Sequence, residues 1–68
     1  MNGEQEDREI LIIVSKVKKY IRSRAGLNTA ANVAPVLSNA VRQMCNLAIE
    51  SARNDDRKTV MDRDFISP

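Results

Sequence analysis

From Val33 to Arg53 apolar or small residues return every three or four positions: Val33, Val36, Leu37, Ala40, Val41, Met44, Leu47, Ala48, Ser51 and Ala52. Asn39, Arg42, Gln43, Asn46, Glu50 and Arg53 fill the other side. This is the period of an amphipathic helix, and at 1.5 Å per residue the helix is about 30 Å long. The chain has 68 residues, and a compact domain of that length has a radius of gyration of about 11 Å, a sphere roughly 28 Å across. The helix therefore outruns the globule that should bury it. The segments on either side are too short to cover its apolar stripe, so a second copy of the same helix is the simplest cover. Nothing covalent substitutes for that cover. Cys45 is the single cysteine and there is no histidine, which rules out an internal disulfide and the common zinc-ligand spacings. A small domain without such staples is expected to gain stability by oligomerising, and the expected dimer core is Val33, Leu37, Val41, Met44, Leu47 and Ala48.

The start of the long helix is set by Pro35. Proline belongs in a first turn, where its missing N–H has no partner to lose. Asn32 as N-cap puts Pro35 at the third helical position, whereas a start at Thr29 would put a kink there. Asn54-Asp55-Asp56 is a turn signal that ends the helix. Before it, a shorter helix is predicted over about Lys16–Arg24, with Ser15 as N-cap, Val17, Tyr20 and Ile21 on one face, and Gly26 as the C-terminal stop. Ile10-Leu11-Ile12-Ile13-Val14 precedes this as an extended segment or a frayed helix start; with Ser15 as cap, the extended form is preferred. After the long helix, Arg57–Val60 forms a second loop, and Met61–Ile66 holds little more than one helical turn. The class is all-α: short helix, long central helix, very short third helix.

Charge divides the chain unevenly. Residues 1–9 hold Glu4, Glu6, Asp7 and Glu9 against Arg8, a net of −3 without apolar periodicity, and are predicted to be a disordered acidic tail. Residues 10–68, the predicted folded domain, hold ten Lys and Arg against five Asp and Glu, +5 per chain and +10 per dimer. A basic body suits a polyanion. The polar, acidic opening is unlike a signal peptide, and Ile10–Val14 is far too short an apolar run to span a bilayer. With a lone cysteine, which fits a reducing compartment, a soluble cytoplasmic protein with no membrane partner is expected.

The first helix carries Lys16, Lys18, Lys19, Arg22 and Arg24 with no acid between Ser15 and Gly26. A face that only confers solubility mixes signs to gain i,i+4 pairs. This one forgoes them, which points to phosphate contact by Lys16, Lys19 and the flanking Arg22. The second loop, with Arg57, Lys58 and Thr59 next to a helix start, reads either as an ordinary turn or as a phosphate seat.

The order of elements, the long central helix and the run Arg57-Lys58-Thr59-Val60-Met61-Asp62-Arg63-Asp64 resemble the histone fold, in particular the small tail-less histones of archaea and bacteria. Pro35 and the short third helix depart from the archaeal pattern and bring the chain nearer the bacterial members. The resemblance implies an intertwined homodimer, with assembly into tetramers on DNA left open. It also implies a buried clamp between Arg57 and Asp64, and DNA contact by Lys58 and Thr59. In such a dimer the second loop of one chain adjoins Leu27, Asn28 and Thr29 of the other, and Arg24 is placed to enter the minor groove. The implied function is nucleoid architecture: binding double-stranded DNA by its backbone, with little sequence preference, so as to coat, bend or wrap it. The alternative is a protein–protein dimerisation module within a regulatory complex.

No catalytic residue, cofactor, metal or small-molecule substrate is expected. Cys45 has no nearby base in the sequence and reads as core or interface filling. Asp62 and Asp64 read as charges at a helix N-terminus, with Asp64 also the partner of Arg57.

Overall fold

The computed structural model describes residues 9–65. They form α1 (Val14–Ala25), α2 (Val33–Asn54) and a 3₁₀ turn (Asp62–Phe65), with no strand among the described residues. None of these helices is long and apolar enough to cross a membrane. The predicted tail lies outside the described residues except for Glu9.

α2 starts at Val33 after Asn32, so Pro35 occupies the third helical position as the missing-donor argument required. Its C-terminus closes with a Schellman pattern: Asp56 adopts φ 57°, its N–H donates to Arg53 O at 2.9 Å, and Arg57 N–H reaches back to Ala52 O at 3.0 Å. Aspartate tolerates this left-handed backbone because its side chain is short and polar. Gly26 does the same for α1, with φ 71° and a 2.8 Å bond from its N–H to Arg22 O.

α1 differs from expectation at its start. Ile13, extended at φ −95° and ψ 103°, is the N-cap, and its carbonyl accepts the N–H groups of Lys16 and Val17 at 3.1 and 3.2 Å. Ser15 therefore lies inside the helix and caps nothing. Val14 is helical and half-buried, and with Val17, Val33 and Leu37 it lines a cleft between α1 and α2; the weak extended preference of a β-branched residue does not decide its conformation. Tyr20 is not on the covered face: Val17 and Ile21 are half-buried, whereas Tyr20 is exposed.

Two parallel rows run along α2. Ala34, Ser38, Val41, Cys45, Ala48 and Ala52 follow alternating four- and three-residue steps, and this row holds all three buried residues, Ser38, Ala48 and Ala52. Ser38 is a buried polar residue that accepts the Leu11 N–H at 2.9 Å and donates to Glu9 O at 3.2 Å. Arg42 Nη2 also donates to Glu9 O, at 2.7 Å. Residues 9–13 thus form a strap tied to the middle of α2, and Glu9, assigned to the tail from sequence, is part of the folded body.

The second row is uncovered. Val36 is 70% exposed, Leu47 71% and Met44 52%, with Val33 and Leu37 half-buried beside them. Among the expected dimer-core residues, Ala48 is a correction: it is fully buried within its own chain and offers nothing to a partner. α2 packs closely against the 3₁₀ turn and only slightly against α1. The result is a radius of gyration of 14.7 Å and extents of 43 × 31 × 17 Å, well beyond the compact value of about 11 Å.

Candidate nucleic-acid interface

The second loop is built around one carboxylate. Asp64 Oδ1 accepts Arg57 Nη2 at 2.8 Å and the Ser51 hydroxyl at 2.7 Å; Oδ2 accepts Arg57 Nη1 at 3.1 Å and the Met61 N–H at 2.7 Å. The Asp64 side chain is 1% exposed and that of Arg57 20%. The guanidinium also bonds Asp55 Oδ2 at 3.0 Å and Thr59 O at 3.0 Å. Arg57 therefore ties the end of α2, the loop and the 3₁₀ turn together. The bonds from Arg57, Met61 and Ser51, in that order, hold the Asp64 carboxyl well below the usual carboxylate range. The bonds to Asp64 and Asp55 push the Arg57 guanidinium still further above its already high value.

The pairing of Arg57 with Asp64 anticipated by the resemblance is present, and the structure adds Ser51, Asp55 and the Thr59 carbonyl to it. Ser51 was missed because it sits in the apolar spacing of α2 and looked like a small filler. Lys58 and Thr59 follow the clamp and are both exposed. Lys58 lines an open groove of about 420 Å³ with Arg53, Arg57, Asp56, Ile49, Ala52 and Val60, so three cations face one acid there. Arg53 was read from sequence only as polar surface. The neighbouring helix start is short and acidic. The 3₁₀ turn is four residues long with Asp62 and Asp64 in its first turn, and the Met61 N–H is taken by Asp64.

On α1, Lys16, Lys18, Lys19, Arg22 and Arg24 are all exposed. The structure gives Arg22 a partner, Asn28 Oδ1, which its Nη1 meets at 2.7 Å.

Both Asp64 oxygens are committed to the hydrogen bonds of the clamp. Cys45 is free and half-buried, beside Arg42, Asn46 and the strap residues Glu9 and Leu11. Among the described residues no grouping of His, Cys, Asp or Glu is suited to hold a metal.

No protein-family model matches the chain, and no curated protein matches it.

Proposed function

We propose that this chain is a histone-fold protein of the small bacterial type, which dimerises through α2 and binds the backbone of double-stranded DNA as a nucleoid architectural protein without catalytic activity. The observation that carries the reading is the second loop. A nearly buried carboxylate fixes Arg57, and through it the backbone at Thr59, so that Lys58 and Thr59 stand exposed on a rigid support. A cation and a hydroxyl held this way suit a phosphate oxygen and carry no base information. The acid-free surface of α1 adds further cations, and pairing two copies along the uncovered row of α2 would multiply both sets.

Val36, Met44 and Leu47 would serve a different protein partner equally well, which keeps a dimerisation module in a regulatory complex as the second reading. Such a module has no use for exposed cations on α1 or for a braced Lys58. Gel-shift titration on several unrelated duplexes of equal length separates the two. The DNA reading predicts retardation of all of them with similar midpoints at low salt. Absence of any shift at low salt would leave the protein-partner reading in its place.

A further inference from the structure

The open row of α2 contains a line of residues with symmetric spacing. Val33, Val36, Ala40, Met44 and Leu47 follow each other in steps of three, four, four and three. Val33 and Leu47 are therefore equally far from Ala40, as are Val36 and Met44. At about 100° of turn per residue, all five stay within about 40° of one line along the helix. Arg42, the one charged residue from Val33 to Leu47, lies about 160° around the helix from Ala40. Ser38, which ties down the strap, is also about 160° away, so the strap occupies the opposite face and leaves this one open. Ala40, at the centre, is exposed.

The two halves of the line differ in shape. On the N-terminal side, Val33, Val36, Leu37 and Ala40 border a hollow of about 300 Å³, with Asn32 at its end. On the C-terminal side Met44 and Leu47 stand out into solvent, 52% and 71% exposed. A hollow in one half and projections in the other fit each other only when two copies run in opposite directions. Val33 of each copy then faces Leu47 of the other, Val36 faces Met44, and Ala40 faces its own counterpart, where a small side chain lets two helices approach closely. A parallel pair would set hollow against hollow and projection against projection. Leu37 flanks the line with Gln43 as its counterpart, and is already half-buried within its own chain. Exposure alone does not choose between a second copy and another protein. The spacing does, because an isologous contact requires a surface that matches itself, whereas a different partner imposes no symmetry on it.

We infer that this face of α2 is a self-recognition surface: two copies pair antiparallel about a two-fold axis at Ala40, with Met44 and Leu47 of each seated in the hollow of the other. The inference rests on the dimer proposed above and adds its direction, its register and the identity of the partner.

Disulfide trapping tests it. In a Cys45→Ala background, which removes the only native thiol, Val36→Cys and Met44→Cys are made as separate variants. Each is oxidised mildly alone and after co-refolding as an equal mixture, and the products are separated by non-reducing electrophoresis. The mixture is expected to give a covalent dimer and the separate variants are not. Like positions in the antiparallel pair lie about 12 Å apart along the axis, eight residues at 1.5 Å each, beyond the Cα separation of about 7 Å that a disulfide tolerates. Ala40→Cys is expected to cross-link with itself. Cross-linking of Val36→Cys and Met44→Cys each with itself, or a mixture no more cross-linked than its components, overturns the proposal. Val33→Cys with Leu47→Cys repeats the comparison at the ends of the line, so that a pair that fails to fold leaves the other to decide. Light scattering of the wild type separates the two possible failures. A dimer whose cysteine pairs do not cross-link in this pattern keeps the proposed dimer and loses this register, whereas a folded monomer removes both.

Discussion

Asp64 accepts four hydrogen bonds through a side chain that is almost wholly covered, and two of them come from Arg57. Removing the guanidinium strands that carboxylate and unties the Thr59 backbone. Arg57→Ala should accordingly lower the melting temperature clearly, whereas Lys58→Ala, at an exposed position, should stay within about 0.5 kcal/mol of wild type. Equal melting temperatures for the two variants would refute the clamp. The same carboxylate sets an acid limit. Its folded-state pKa is depressed, so its contribution is present above the unfolded value, about 3.9, and is lost as pH falls toward the folded one. Stability should hold down to about pH 5 and decline below pH 4, and Asp64→Asn should be less stable at neutral pH with a shallower acid decline, as followed by circular dichroism. The pair was legible in the sequence through the run from Arg57 to Asp64. Its remaining partners were not, because Ser51 lies a helix away and its apolar spacing conceals its use.

Helix boundaries were legible wherever backbone chemistry is local. Pro35 fixes the start of α2 through its missing donor, and Gly26 ends α1 in a left-handed conformation. They were illegible where residue type alone was the guide: Ile13, and not Ser15, caps α1, so Val14 joins the helix and Ser15 loses the cap that its residue type favours. The strap is the clearest case. It depends on Ser38, 27 residues from Leu11 in sequence, and a serine in a row of small residues gives no sign of such a contact. Ser38→Ala leaves the Leu11 N–H without its acceptor and the Glu9 carbonyl with Arg42 alone, at a cost of about 1–3 kcal/mol. Faster hydrogen exchange at Leu11, with the centre of α2 unchanged, is the expected signature. Exchange at Leu11 as slow as in wild type would mean that Ser38 does not hold the strap.

A single copy leaves the second row of α2 in water and extends to 43 Å along its longest axis. The sequence anticipated this through the mismatch between helix length and globule size; it did not separate the row covered by the chain itself from the row left open, which is why Ala48 was misplaced. If the open row is covered by a second copy, Leu47→Glu should both dissociate and unfold the protein, although Leu47 is 71% exposed in the isolated chain. Light scattering should then give about twice 7.6 kDa for wild type, and a stable, folded 7.6 kDa wild-type protein at micromolar concentration would contradict the dimer. The central claim, that this dimer grips DNA through phosphates, is tested most directly by the salt dependence of duplex affinity measured by fluorescence anisotropy. Lys16, Lys19 and Lys58 with their symmetry mates predict a log–log slope of about −5, roughly a thousandfold loss of affinity between 50 and 200 mM salt, flattened by about 2 in Lys58→Ala on AT-rich and GC-rich duplexes alike. A slope near zero, or a loss in Lys58→Ala confined to one sequence, would contradict the account.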